Sequence, residues 1–349
     1  MTKSVLILGA GATRAAGASR AVANKPPLDA DFFEIARRGQ HVSYDIVTEV
    51  LEELVDDYSS VIKQSLERAA TYLYLKAIDT TAGSVYHEGF LNLLNLLNVV
   101  LAHTTNTLSA APRSLTYRFL LSELAQVDSP EDLTIITFNY DLLAEKVLDE
   151  IAANNGENIF QFPQCYRLEN IEETRAVSSL PKFKNQSAEH QGVSILKLHG
   201  SLNWLSKHTS NEPRPHTLFA SNRKLYIADS PMIPESLTWR GRRTVYMKPI
   251  IVPPVSGKRG MMHNEFGPLW EKAASSLREA DRIVIAGYSC PPLDIEARML
   301  LSENFRHNDS KKLYVIDPNG ESAAKFIDIC GVSHSTIYSS INDWVNDAK

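Results

Sequence analysis

Five short apolar runs lie far apart in this chain, and each breaks off at a glycine or a polar residue. They are Ser4–Leu8 before Gly9, Asp132–Phe138 before Asn139, Ile195–Leu198 before His199, Asp281–Ala286 before Gly287, and Lys312–Ile316 before Asp317. Compact runs with little alternation read as strands buried on both faces of a parallel sheet. Helical patterns follow at least three of them. Strands alternating with helices predict an α/β fold, here a doubly wound, Rossmann-like, mostly parallel sheet whose last strand ends at Ile316. Ligands of such sheets bind just outside the carboxyl ends of the strands. The residues after the five runs are therefore candidate neighbours.

Between the first and second runs the pattern is helical. Val47, Val50, Leu51 and Leu54 make one stripe at three- and four-residue spacing, Phe90, Leu93, Leu94, Leu97 and Leu101 make another, and a third begins at Tyr117. This predicts an inserted helical subdomain at 43–127, with 1–42 and 128–349 forming the α/β domain. The insert packs a core of its own or offers an assembly face. Residues 152–193 read as loop-rich and polar, with a short strand near Phe160. Leu225–Ile227 and Thr244–Tyr246 are strand candidates for a hairpin lid. Ser256–Gly260 is a basic loop, either a phosphate contact or a solvated turn.

Composition narrows the function. The formal net charge is −5, so no broad basic field exists and direct nucleic-acid binding is not expected. The longest apolar stretch, Phe90–Leu101, carries Asn92, Asn95 and Asn98 and is too short to span a bilayer, so no membrane association is expected. Cys165, Cys290 and Cys330 are odd in number and widely spaced, which argues against a disulfide framework and a four-cysteine zinc site. No metal is expected. With no signal-peptide pattern at the N-terminus, a reducing cytoplasm is the expected compartment.

The strand ends supply the chemistry. Gly9-Ala10-Gly11-Ala12-Thr13, running on to Gly17, is a small-residue turn into a helix: a phosphate loop or a plain tight turn. Arg14 stands where the usual dinucleotide fingerprint wants a small residue, and no acidic strand end follows at the required distance. Asn139 offers an amide donor and acceptor, and Asp141 caps the next helix or contacts a ligand. His199 titrates near neutral pH and can move a proton. Gly287 and Ser289 follow the fourth run, and Asp317 and Asn319 the fifth.

Taken in order, these motifs resemble the sirtuins. Gly9-Ala-Gly-Ala-Thr13 is similar to their NAD loop, Asn139-Tyr-Asp141 to their Gln-Asn-x-Asp element, His199-Gly200 to their His-Gly, and Gly287-Tyr-Ser289 to their Gly-Thr-Ser loop. The wording Lys-Leu-His-Gly-Ser-Leu-Asn-Trp, Pro-Ile-Ile-Val-Pro-Pro and Gly-Tyr-Ser-x-Pro-Pro resembles more closely the bacterial sirtuin-like NAD-hydrolase domains of antiphage defence. The resemblance covers residues 4 to about 320. The chain lacks the paired zinc cysteines of true sirtuins, and Phe138 replaces the glutamine before Asn139. Both departures weigh against a protein deacylase.

The resemblance implies an NAD glycohydrolase with NAD as substrate, releasing ADP-ribose and nicotinamide. Asn139 and His199 are then catalytic. Gly9, Ala10, Gly11, Thr13, Gly287 and Ser289 hold the pyrophosphate, Asp141 meets the carboxamide or fixes its helix, and Asp317 or Asn319 reaches the adenosine ribose. It further implies a homo-oligomer triggered by a sensor partner, an ATPase or an Argonaute-like protein, since little chain follows the last run. A deacylase and an NAD or ADP-ribose sensor without turnover are the alternatives.

Overall fold

The computed structural model describes residues 2–54, 62–80, 84–108, 114–127, 129–155, 159–168, 192–208, 225–228, 231, 235–239, 243–258, 266–305, 311–332 and 335–348. The first run is β1 (Ser4–Leu8), buried throughout. Then come α1 (Ala10–Ala16), α2 (Phe32–Arg38), α3 (Val42–Leu54), α4 (Leu66–Ile78), α5 (Val85–Thr105) and α6 (Ser114–Val127). β2 (Leu133–Thr137), α7 (Leu143–Asn155), β3 (Ser194–Lys197), β4 (Gly200–His208), β5 (Leu225–Ile227), β6 (Glu235–Trp239) and β7 (Arg243–Ile251) follow. The chain continues with α8 (Gly267–Glu279), β8 (Arg282–Ala286), α9 (Ile295–Phe305), β9 (Lys312–Ile316), α10 (Gly320–Cys330), β10 (Thr336–Tyr338) and α11 (Ile341–Ala348). Serine hydroxyls start two of the long helices: Ser65 accepts from the Arg68 amide and Ser84 from the His87 amide.

Six parallel strands form the main sheet in the order β10-β9-β8-β1-β2-β3. Ser4 stands between Leu133 on one side and Arg282 on the other. Read in chain order, the strands run outward from β1 to β3, then restart at β8 on the other side of β1. This is the doubly wound order, with its switch point between β1 and β8. α6 packs with α1, α7 and α11, whereas α9 packs with α8 and α10, giving the two helical groups that flank such a sheet.

The sheet has one strand more than the sequence predicts. β10 is three residues long, with Thr336 and Ile337 exposed and Tyr338 half-buried, so an edge strand carried no apolar run. The hairpin lid is also corrected. Leu225–Ile227 pairs with β4, while Thr244–Tyr246 pairs with β6, in an antiparallel sheet ordered β5-β4-β7-β6. β4 was hidden by its own polarity: Ser201 and Asn203 are buried, and Asn203 Nδ2 donates to Tyr166 Oη and the Ala228 carbonyl. Gly200 makes the hand-over from β3 possible. Its φ is +83°, and a Cβ there would lie 2.2 Å from the Ile250 carbonyl oxygen.

Two cores result. One fills the main sheet and includes Tyr117, Leu120, Leu121 and Leu124 of α6. The other gathers Phe32 and Ile35 of α2, Leu51 of α3, Leu73 of α4 and Phe90 and Leu97 of α5, with Ile251 and Val255 beside them. Thus α6, expected within the 43–127 insert, packs on the sheet, and α2, expected outside it, joins the helical core. Helical periodicity fixes which face is apolar, not which core receives it. No helix among the described residues is long and apolar enough to cross a membrane. Arg259, Gly260 and residues 169–191 lie outside the described residues.

Candidate active site

β1 and β8 meet at the switch point, and the turns after them touch. The Gly9 amide donates to the Ala286 carbonyl (3.1 Å) and the Gly11 amide to the Gly287 carbonyl (2.8 Å). The Gly287 amide donates to the Ile316 carbonyl (3.1 Å). A Cβ on Gly9 would stand 2.4 Å from Tyr288 Cα, and one on Gly287, at φ +59°, would stand 2.1 Å from the Ala12 nitrogen. Small residues here let two turns approach each other. The amides of Gly9, Gly11 and Gly287, expected to cradle a pyrophosphate, are bonded to the protein itself. Ala10 and Ser289 are exposed beside them, and the Ser289 carbonyl accepts from Lys325 Nζ (3.1 Å).

A polar chain links the first two strand ends. Asn139 Nδ2 donates to Thr13 Oγ1 (3.1 Å), which donates to Asp141 Oδ2 (2.9 Å). Asp141 Oδ1 accepts from the Leu143 amide (2.9 Å) and so caps the start of α7. Lys197 Nζ donates to the Asp141 carbonyl and to Glu145 Oε1, and Tyr166 Oη donates to the same Glu145 oxygen (2.9 Å). These bonds tie buried groups from several elements together, with Glu145 Oε2 left without a hydrogen-bond partner among the described residues. The amide of Asn139 is therefore oriented from behind.

His199 follows β3 and is 5% exposed. Its ring lies among Phe138 (centroids 5.1 Å apart), Trp270 (6.4 Å) and Tyr140 (6.5 Å), and Phe138 stacks on Tyr288 at 4.5 Å. Nε2 of His199 faces Asp294 Oδ1 at 3.7 Å. Asp294 Oδ2 accepts from Tyr288 Oη (3.0 Å), and Oδ1 forms an ion pair with Lys258 Nζ at 3.1 Å. Burial first, then the Lys258 ammonium, push the His199 pKa down to about 3 against the pull of Asp294. Burial alone would raise the Asp294 carboxyl, but His199, Lys258 and the Tyr288 hydroxyl together hold it below its ordinary value. Glu67, at the start of α4, is pushed up to about 7 by burial, opposed by Lys258 and assisted by Asp29 and Asp294.

Sequence reasoning missed Asp294, Lys258, Tyr288 and Glu67. The signal for Asp294 was present: it ends the polar turn that begins at Gly287. Lys258, read as a phosphate contact or part of a solvated turn, is 2% exposed and points inward. Its charge is matched by Asp294, which the chain places 36 residues later in a different strand-end turn. Asp317 and Asn319 are not part of this cluster. Asp317 follows β9, four strand spacings, about 19 Å, from β3. Its Oδ1 accepts from the Asn319 amide (2.7 Å), and with Gly320, Tyr338 and Ser339 it lines a cleft at the β10 edge. The switch point lies between the two places.

No protein-family model matches the chain, and no curated protein matches it. Several solved structures are similar in fold. One is a Sir2 homolog in complex with NAD, at 10% identity and TM-score 0.41, with 99% of this chain and 88% of that chain covered. Another is a mutant Sir2 homologue in complex with ADP ribose, at 11% identity and TM-score 0.40, covering 99% and 90%. A third, described for the mechanism and regulation of Sir2 enzymes, has 12% identity and TM-score 0.42, covering 99% and 92%. Superpositions this loose transfer neither a residue's role nor a ligand to this chain.

Proposed function

We propose that the chain is a regulated NAD glycohydrolase, cleaving NAD to ADP-ribose and nicotinamide. The observation that carries this reading is the buried His199 imidazole, whose Nε2 has no hydrogen-bond partner among the described residues, one strand from the oriented amide of Asn139. In the reaction the bond between ribose C1′ and the pyridinium nitrogen breaks. The electron pair leaves with the nitrogen, so nicotinamide departs neutral. Water adds to C1′ and gives up a proton. The sugar passes through a positively charged state, which a site must orient and stabilise. Asn139 orients a ribose hydroxyl and the attacking water, and neutral His199 accepts a hydrogen bond from one of them. A buried histidine also argues for control: NAD reaches Nε2 only after its cover moves. We assign that control to self-association or to a sensor partner such as an ATPase or an Argonaute-like protein, in a cytoplasmic antiphage response that depletes NAD.

The test follows nicotinamide release from NAD over a range of protein concentrations. His199→Ala and Asn139→Ala should each slow release by roughly 10²-fold or more. Equal rates in wild type and both variants would sink the reading. Release that depends on an acyl-lysine peptide would replace it with a deacylase.

A further inference from the structure

His199 Nε2 and Asp294 Oδ1 face each other across 3.7 Å, beyond hydrogen-bond distance. His199 Nε2 is buried without a hydrogen bond among the described residues, and Asp294 Oδ1, also buried, meets the Lys258 ammonium at 3.1 Å. Buried polar atoms in this condition are uncommon and call for a partner. Nε2 is such an atom, and Oδ1 beside it keeps a lone pair that Lys258 does not use, so together they fit a partner with two adjacent groups.

The chemistry of the pair defines that partner. A carboxylate only accepts, and an imidazole nitrogen without a proton only accepts. With His199 held down to about 3, the ring is neutral at neutral pH, and in the tautomer with its proton on Nδ1 the Nε2 atom only accepts. Two neighbouring acceptors fit two neighbouring donors, and a ribose carries them as its cis-diol. On the hydrolase reading, on which this inference rests, the diol belongs to the ribose whose bond to nicotinamide breaks. A carboxylate beside that ribose also opposes the positive charge that develops on it.

We propose that Asp294 is a substrate-contacting residue: its Oδ1 and His199 Nε2 each accept one hydroxyl of the ribose cis-diol, with Lys258 as the counter-ion of the carboxylate. Tyr288 holds the other carboxylate oxygen, so Oδ1 is the one aimed at the diol.

Titration calorimetry of the full chain with NAD, and with analogues lacking the 2′- or the 3′-hydroxyl on the nicotinamide ribose, tests this without requiring turnover. Asp294→Asn should weaken NAD binding about tenfold, the size of a charged hydrogen bond. It should bind one of the two analogues as well as wild type does, since the hydroxyl it no longer holds is already gone. His199→Gln should show the same relation with the other analogue. A penalty that is equal for NAD and both analogues marks a structural role and overturns the assignment. So does unchanged NAD affinity in Asp294→Asn. Should that variant not fold, wild type alone decides: analogues bound as tightly as NAD mean that no hydroxyl sits between the two atoms. All these failures leave the hydrolase reading standing, whereas a wild type that neither binds nor cleaves NAD removes both.

Discussion

Lys258 adds to the effect of burial on His199, because its ammonium and the Asp294 carboxylate are buried together beside the ring. Lys258→Met removes a like charge that disfavours imidazolium and releases Asp294 to favour it. Both changes act in one direction. The His199 pKa should therefore climb from about 3 toward its ordinary value, followed by NMR titration of the histidine ring protons. An unmoved titration would show that burial alone depresses it. The same substitution leaves a buried carboxylate without its partner and should lower stability by about 3–5 kcal/mol in urea melts. At this scale the sequence was half legible. Asn139 and His199 announced themselves as polar residues ending apolar runs. Asp294 stood at the end of the turn that begins at Gly287, but its role was hidden because its partners His199 and Lys258 arrive from other elements. Lys258 looked like a surface residue because burial of a lysine is visible only once its counter-charge is placed.

β1, β2, β3, β8 and β9 were readable because their middles, buried on both faces, are apolar, with the buried polar residues Ser4, Thr137, Ser194 and Lys197 at strand ends. β4 escaped because its buried Asn203 donates through Nδ2 to partners that no local pattern reveals. The glycine turns were recognised, but their work was not: Gly9 and Gly287 are small for each other's sake. Gly287→Ala places a methyl against the Ala12 backbone at a positive φ and should cost at least about 2 kcal/mol, measured by chemical denaturation. Gly267→Ala is the contrasting control, since a Cβ there meets nothing within 4 Å. Similar midpoints for the two variants would contradict the packing described for the switch point.

Across the whole molecule, the helical core reaches the site through Glu67, and its titration opposes that of His199. Glu67 is raised from 4.5 to about 7, so its contribution to stability is present below pH 4.5 and is lost as the pH rises through 7. His199 is lowered from 6.5 to about 3, so its contribution is present above pH 6.5 and is lost as the pH falls toward 3. Between pH 4.5 and 6.5 the two slopes have opposite sign. Glu67→Gln should unmask the upward slope, making stability rise more steeply with pH than in wild type. Parallel profiles from urea midpoints taken across this range would refute the opposition. The central position of β1 has a separate consequence for how the protein comes into being. Its neighbours on the two sides begin at Leu133 and Arg282, so during synthesis the first strand must wait for most of the chain before the middle of the sheet can close. A nascent chain stalled before Arg282 has neither a switch point nor Asp294. On the hydrolase reading, an interrupted translation product is inert, and a cell making this protein is not exposed to NAD cleavage by its fragments.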